Sequence, residues 1–149
     1  MSLEIGQKAP SFTCTDQDGN TINLGDFAGK KVVLYFYPKD NTPGCTKQAC
    51  NLRDNYQLLL DKGYVVLGVS ADTAKKHQNF IAKYELPFPL LVDTEKEIIE
   101  QYGVWVEKSM YGKKYMGIAR TTFIIDEEGN IEEIISKVKT DTHTEQILN

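Results

Sequence analysis

The sequence contains few cysteines and few histidines, and their spacing argues against two kinds of site. Three cysteines in 149 residues are an odd number and too few for the disulfide scaffold of a small secreted domain. His77 and His143 stand alone, and Cys45 and Cys50 are five positions apart, so the spacing of a zinc site is absent. We therefore expect no metal centre and no cofactor. In a reducing compartment, a close pair of cysteines indicates catalysis or redox sensing.

Long hydrophobic runs and blocks of like charge are also missing. The longest strongly apolar run, 32–37, is far too short to span a bilayer. The net charge of −4 is spread along the chain, which provides neither a basic footprint for nucleic acid nor a polybasic patch for a membrane. The first eight residues lack the basic start and the apolar core of a signal peptide. We expect one domain, residues 1–149, in the cytoplasm.

What the sequence does contain is a Pro/Gly loop, 38–44, between a predicted strand and a predicted helix. The preceding residues, 31–37, are rich in β-branched and aromatic side chains, as is typical of a buried strand. Apolar residues then recur at helical spacing and predict a helix from about Cys45 to Asp61. In the first turn of that helix, unpaired N–H groups and the helix dipole favour a cysteine thiolate, which is the reactive form. A buried, unreactive cysteine is the alternative.

The rest of the chain alternates predicted strands with predicted helices, which indicates an α/β fold. Strands are predicted at 12–15, 21–24, 64–70, 104–109, 114–118, 121–125 and 131–138, and residues 87–93 are interpreted as an extended segment that enters a further strand. Helices are predicted after a cap at Asp72 or Thr73, at 95–102 after a cap at Asp93 or Thr94, and at 142–149.

Several side chains on these elements receive structural interpretations. Cys14, on the first strand, is interpreted as a small apolar filler. The helix after the cap at Asp72 or Thr73 has a polar face that we interpret as solvated, and we assign no role to its histidine; this face consists of Lys75, Lys76, His77 and Lys83. One hairpin contains large residues that we expect to pack within it rather than to line a pocket: Trp105, Met110, Tyr111 and Met116.

The residues around Cys45 also match the active-site pattern of a known family. Pro38, Thr42 and Cys45 match the pattern of Pro, three residues, Thr or Ser, two residues, Cys, and Cys50 follows five positions later. Residues 120–126, which begin with Arg120, resemble an arginine-bearing strand of the same family. On these features the chain resembles the peroxiredoxins, specifically the bacterioferritin comigratory protein or peroxiredoxin Q subgroup. The resemblance implies a thioredoxin-like α/β fold, with a central mixed β-sheet flanked by helices and an N-terminal β-hairpin.

The resemblance also implies an activity and a role for each matching residue. The protein would be an antioxidant thiol peroxidase that reduces hydrogen peroxide and organic hydroperoxides. Cys45 would be the peroxidatic cysteine, and Cys50 would be the resolving cysteine that forms an intramolecular disulfide with it. Arg120 would stabilise charge, Thr42 would bind the peroxide oxygens, and Pro38 would shield the site from water. Thioredoxin or a similar dithiol would reduce the disulfide, and the subgroup suggests a monomer.

Helix geometry adds a prediction that does not depend on the family. Five residues along an α-helix place two Cα atoms about 8–9 Å apart. A disulfide needs about 4.4–6.8 Å between them. We therefore predict that the first turns of the helix unwind when Cys45 and Cys50 join.

Two other functions compete with the peroxidase. In a redox sensor or binding module, the same disulfide would alter a partner-binding surface without sustained turnover. A thiol–disulfide oxidoreductase acting on proteins is less favoured, because the sequence contains no Cys-x-x-Cys motif.

Overall fold

The computed structural model describes residues 3–149 and, within them, a seven-stranded sheet and a separate two-stranded hairpin. The strands are β1 (Thr13–Asp16), β2 (Thr21–Asn23), β3 (Lys31–Phe36), β4 (Tyr64–Ser70), β5 (Leu90–Val92), β6 (Trp105–Met110), β7 (Lys113–Ile118), β8 (Thr121–Ile125) and β9 (Ile131–Ile135). The helices are α1 (Pro43–Asp54), α2 (Tyr56–Asp61), α3 (Ala74–Tyr84), α4 (Glu97–Gln101) and α5 (His143–Leu148), and a 3₁₀ turn spans Leu24–Phe27. None of these helices has the length and apolar character needed to cross a membrane.

The large sheet has the strand order β2-β1-β5-β4-β3-β8-β9, and its strands run in both directions. β3 pairs in parallel with β4 and antiparallel with β8, and β4 pairs in parallel with β5. α1 and α2 connect β3 to β4, and α3 connects β4 to β5, because parallel neighbours need a long crossover. The expected mixed sheet is confirmed, and the N-terminal hairpin β1–β2 joins it through β5.

Helices cover both faces of the sheet, which explains the continuous apolar run in β3. Val33 and Tyr35 pack in one core with side chains of α1, α3 and α5. Val32, Leu34 and Phe36 point to the opposite face and pack in a second core with α4. α1 is thereby held on the sheet beside the carboxyl end of β3.

The predicted helix from about Cys45 to Asp61 starts two residues earlier and is wrong in its middle. It begins at Pro43, whose fixed φ and missing N–H suit the first turn of a helix. It is interrupted at Asn55, which separates α1 from α2. The Asn55 side chain donates to the Asn51 carbonyl over 2.8 Å, and so occupies the acceptor that its own backbone N–H would use in a continuous helix.

The extended segment 87–93 enters a strand as expected, and this strand is β5, which begins after Pro87 and Pro89 because neither has an N–H for a strand ladder. Two other predicted elements are shorter in the structure. The strand predicted at 131–138 ends at Ile135, and the helix predicted at 95–102 is limited to α4.

Side-chain caps form at two of the predicted helix starts. Thr73 Oγ1 accepts from the Lys76 N–H at the start of α3. Asp93 Oδ2 accepts from the Ile99 N–H over 2.8 Å, although Lys96 is the residue directly before α4. Both bonds satisfy N–H groups that have no partner within the helix.

The interpretation of the polar face of α3 is wrong at His77. Its side chain is fully buried, with Nδ1 2.6 Å from Asp40 Oδ2 and Nε2 2.9 Å from the carbonyl oxygen of Leu91. Lys75 and Lys76 are exposed as expected. The histidine therefore belongs to the interior, and the partner that keeps it there lies 37 positions away in the sequence.

The packing expected of the β6–β7 hairpin is wrong for three of its four large residues. Met110, Tyr111 and Met116 are exposed, and Tyr111 is 98% exposed. Trp105 alone among the four packs against a core, with the Lys96 ammonium group over its ring.

A second buried histidine lies at the start of α5. His143 Nε2 is 2.8 Å from Thr122 Oγ1, and Nδ1 is 2.9 Å from Gln146 Oε1. Because an amide oxygen only accepts, Nδ1 carries a proton, and in the neutral imidazole Nε2 accepts from the threonine hydroxyl. Burial is the main cause that lowers the pKa of His143 below its ordinary value of 6.5.

We expect the free energy of unfolding to fall as the pH drops below about 6.5, because the unfolded chain then binds a proton that folded His143 resists. Above that pH the imidazole is neutral in both states, and its contribution to stability is retained. Urea unfolding across this pH range measures the change, and His143→Gln removes the titrating group. The same pH dependence in both proteins would contradict this assignment.

Candidate active site

Cys45 lies in the first turn of α1, as the sequence predicts. Thr42 directly precedes the helix, and Pro43 and Gly44 are its first two residues. The Cys45 thiol is free, and only 2% of the residue is exposed. Unpaired N–H groups and the helix dipole therefore act on a sulfur that is shielded from most of the solvent.

Arg120 brings a positive charge to this sulfur from 75 positions away in the sequence. Its Nη2 donates to Cys45 Sγ over 3.3 Å. The sheet explains the encounter: β8 runs antiparallel to β3 and pairs Thr121 with Phe36, so the residue before β8 lies beside the loop after β3. A guanidinium hydrogen-bonded to sulfur stabilises the thiolate.

Two residues of α1 fix the position of the Arg120 guanidinium. Gln48 is fully buried, and its Oε1 accepts from Nη1 over 2.7 Å. A Cβ atom at Gly44 would lie only 3.2 Å from Nη2, so the glycine leaves room for the guanidinium at the helix start. Sequence reasoning did not identify Gln48, and its only signal was a helical spacing of three from Cys45.

The loop before α1 carries the other two predicted residues. Pro38 lies two positions after the last residue of β3 and is half-buried. The Thr42 hydroxyl donates to the Lys39 carbonyl over 2.9 Å, and the Thr42 carbonyl accepts from the Thr46 N–H over 2.8 Å. The structure thus brings Thr42 to the helix start, but its hydroxyl bonds to the loop rather than to Cys45.

Cys50 lies on the same helix as Cys45 and is half-buried, with a free thiol. Both cysteines precede the interruption at Asn55, so the segment between them is regular helix. In an ideal helix, this separation places their Cα atoms about 8–9 Å apart. The structure therefore describes a dithiol state in which the two sulfurs are not yet in bonding position.

The charges of Cys45 and Arg120 act on the pKa of two further polar side chains, Lys108 and Tyr35. Burial first, and then the charge of Arg120, lower the pKa of Lys108, while Cys45 acts in the opposite direction. Burial, with smaller contributions from Asp40 and Cys45, raises the pKa of Tyr35 well above 10, so its hydroxyl stays neutral. Sequence reasoning identified neither residue, because one lies in a hairpin and the other resembles any core aromatic of β3.

Cys14 lies outside this site, on β1 opposite Ile22. Burial first, and then the carboxylates of Asp93 and Asp16, raise the pKa of Cys14 to about 12. The residue packs against a core as a protonated thiol, in agreement with its interpretation as a filler.

One cluster within residues 3–149 has the donor set of a metal site. Asp40, Asp72 and His77 are buried, and their ligand atoms lie within 4.8 Å of one another. Asp72 Oδ2 accepts from the Ser70 hydroxyl over 2.7 Å and from the Asp40 N–H over 2.8 Å. Because these atoms already bond to one another or to the backbone, the cluster is satisfied as a hydrogen-bond network without a cation.

The fold and the site together define a class of protein. A strand–loop–helix unit on a mixed sheet presents a cysteine to a guanidinium, and a second cysteine follows on the same helix. This arrangement suits a thiol-based redox enzyme, in which one sulfur reacts and the other resolves the product.

Comparison with known proteins identifies the family within that class. A model of the AhpC/TSA family matches residues 5–134. A protein assigned as peroxiredoxin bcp in Coxiella burnetii is 55% identical over 148 residues, which cover 99% of this chain and 98% of that protein. The structure of a cysteine-to-serine variant of PrxQ from Xylella fastidiosa matches with a TM-score of 0.93 and 33% identity, over 100% of this chain and 95% of that one. The bacterioferritin comigratory protein of Xanthomonas campestris matches with a TM-score of 0.89 and 34% identity, over 97% and 95%.

The chain therefore belongs to the AhpC/TSA family, as a peroxiredoxin of the Bcp or PrxQ type. It is a thiol peroxidase, and the thioredoxin-like fold that the sequence resemblance implies is confirmed.

Proposed function

We propose that the protein reduces hydrogen peroxide and organic hydroperoxides, with Cys45 as the peroxidatic residue and Cys50 as the resolving residue. The observation that carries this proposal is the 3.3 Å contact between Arg120 Nη2 and Cys45 Sγ at the start of α1. The guanidinium and the helix dipole both favour the thiolate, which is the form that peroxides oxidise. The Xanthomonas relative, whose structure is described together with alkyl peroxide reduction, supports organic hydroperoxides as substrates.

In the first step, the Cys45 thiolate attacks one peroxide oxygen and the O–O bond breaks. Cys45 becomes a sulfenic acid, and the other oxygen takes a proton and leaves as water or an alcohol. The Arg120 guanidinium stabilises the charge that develops on the leaving oxygen. The Thr42 hydroxyl turns from the Lys39 carbonyl to the bound oxygens, and Pro38 shields the site from water.

In the second step, the Cys50 thiol attacks the sulfenic sulfur of Cys45. A disulfide forms and water leaves. Because an ideal helix holds the two Cα atoms about 8–9 Å apart and a disulfide needs about 4.4–6.8 Å, the first turns of α1 unwind in this step.

We expect the amides of residues 45–52 to exchange hydrogen faster in the disulfide form than in the dithiol form, because unwinding breaks their helical hydrogen bonds. Hydrogen exchange followed by mass spectrometry measures both forms, with the amides of α3 as an internal reference. Equal protection of residues 45–52 in the two forms would contradict the unwinding.

Thioredoxin or a similar dithiol completes the proposed cycle by reducing the disulfide. Unwinding of α1 exposes the disulfide to this reductant, which links local opening to turnover. The protein acts as a monomer and a single domain in the cytoplasm, as an antioxidant. The small and odd number of cysteines supports a reducing compartment, because disulfide scaffolds belong to oxidising ones.

Peroxide consumption in the presence of thioredoxin, combined with mass mapping of the oxidised cysteines, tests the whole proposal. We expect sustained turnover and a disulfide between positions 45 and 50. Cys50→Ser should still form a sulfenic acid at Cys45 but lose thioredoxin-supported turnover. One stoichiometric oxidation without recycling would support a redox sensor instead. Sustained turnover in Cys50→Ser would assign resolution to Cys14, a second subunit or an external thiol.

A further inference from the structure

A buried network anchors the loop between β3 and α1 at one residue, Asp40. The Tyr37 hydroxyl donates to Asp40 Oδ1 over 2.5 Å, and His77 Nδ1 lies 2.6 Å from Oδ2. The backbone N–H of Asp40 donates to Asp72 Oδ2 over 2.8 Å. Three hydrogen bonds, two of them to residues 32 and 37 positions away, therefore fix a single loop residue. None of these residues has a place in the chemistry proposed above.

The hydrogen bonds of His77 determine where its protons lie. Nε2 is 2.9 Å from the Leu91 carbonyl, which only accepts, so Nε2 carries a proton. Burial raises the pKa of Tyr37 well above 10, so its hydroxyl remains the donor to Asp40. One proton therefore joins Nδ1 of His77 to Oδ2 of Asp40. With side-chain exposures of 0% and 4%, this bond is shielded from competition by water.

Helix α3, which contains His77, also holds Asn41, the next residue of the loop. Asn41 has a φ of 60°, a left-handed conformation that asparagine adopts more readily than most residues. Its Oδ1 accepts from the Tyr84 hydroxyl over 3.1 Å. His77 and Tyr84 both belong to α3, so this helix fixes the path of the chain directly before Thr42.

We propose that Asp40 and His77 are a positioning pair for peroxide reduction. They act through the loop, by holding Thr42 and the start of α1 in the alignment that the peroxide oxygens require. The inference rests on the proposed function, because it takes Cys45 as the peroxidatic residue. Alignment of this kind is sensitive, since a displacement of about 1 Å costs on the order of 100-fold in rate.

Two reactions of Cys45 distinguish a misaligned site from a general loss of structure. Oxidation by hydrogen peroxide in a single turnover needs the aligned site. Alkylation by iodoacetamide needs only the thiolate and access to it. In His77→Leu and in Asp40→Ala, we expect oxidation to slow about 10- to 100-fold, while alkylation changes by less than about threefold.

Two further variants complete the design. Asp40→Asn keeps a hydrogen bond, because its amide group donates to Nδ1 of neutral His77, and it should oxidise within about threefold of the wild-type rate. Lys75→Gln changes an exposed residue of α3 and should leave both reactions unchanged. Asp40→Ala also guards against a folding failure, because it leaves a neutral imidazole rather than an unpaired buried carboxylate.

Oxidation within about twofold of wild type in Asp40→Ala and in any folded His77→Leu protein would overturn the positioning role. An equal fall of oxidation and alkylation would also overturn it, because it would show that the pair only maintains the fold. Failure of the proposed function looks different: the wild-type protein would not consume peroxide, or Cys45→Ser would continue to do so.

Discussion

Replacement of Cys45 by Ser is expected to reduce peroxide consumption to the background rate. A neutral hydroxyl is a far weaker nucleophile than a thiolate, and serine forms neither a sulfenic acid nor a disulfide with Cys50. Since enzymes commonly accelerate reactions by about 10⁶-fold or more, no other single substitution should cost as much. The measurement is peroxide consumption with thioredoxin, with mass detection of sulfenic acid trapped by dimedone.

Cys14→Ser is the matched control for this prediction, because it makes the same atom exchange outside the site. Burial raises the pKa of Cys14 to about 12, and the variant should keep wild-type turnover. Full turnover in Cys45→Ser would contradict the assignment, and complete loss in Cys14→Ser beside it would place the reacting sulfur at position 14.

The unit around Cys45 could be predicted from sequence because its signals are local. The apolar run of β3, the Pro/Gly loop and the apolar spacing in α1 each depend on neighbouring residues, and the structure places Cys45 in the first turn of a helix as expected. Arg120 is different, because its contact spans 75 positions. Only the family resemblance pointed to it, and the antiparallel pairing of β8 with β3 supplies the physical reason.

The contacts that sequence reasoning missed are those in which a polar side chain bonds far along the chain or to its own backbone. The three lysines beside His77 predict a solvated face, and nothing local reveals the buried carboxylate of Asp40. In the sequence, Gln48 has no feature that distinguishes it from other polar residues, because its partner Arg120 lies 72 positions away. Asn55 ends α1 because its side chain donates to the backbone carbonyl of Asn51. The spacing of apolar residues carries no information about such a bond.

Replacement of Arg120 by Met is expected to slow Cys45 oxidation by about 10²- to 10³-fold, the usual cost of removing one donor that stabilises transition-state charge. The guanidinium bonds to the sulfur through Nη2 and to Gln48 through Nη1, so its loss removes the charge and also leaves a buried amide oxygen unpaired. Arg120→Lys restores a charge but not the two-pronged geometry. Its rate of Cys45 oxidation should lie between those of Arg120→Met and the wild type. Stopped-flow oxidation of the dithiol protein by hydrogen peroxide measures all three rates.

Lys47→Met is the control that distinguishes the direct contact of Arg120 with Cys45 from the effect of nearby positive charge. Lys47 is exposed on α1, two positions after Cys45, so its loss lowers the local positive charge without touching the sulfur. We expect a change of less than about threefold for this variant. If Lys47→Met and Arg120→Met slowed oxidation equally, the arginine would act through long-range charge alone, and its proposed contact with the leaving oxygen would have to be given up. Rescue by Arg120→Lys to the full wild-type rate would show instead that one charged donor suffices, without the two-pronged geometry for which Gln48 and Gly44 are placed.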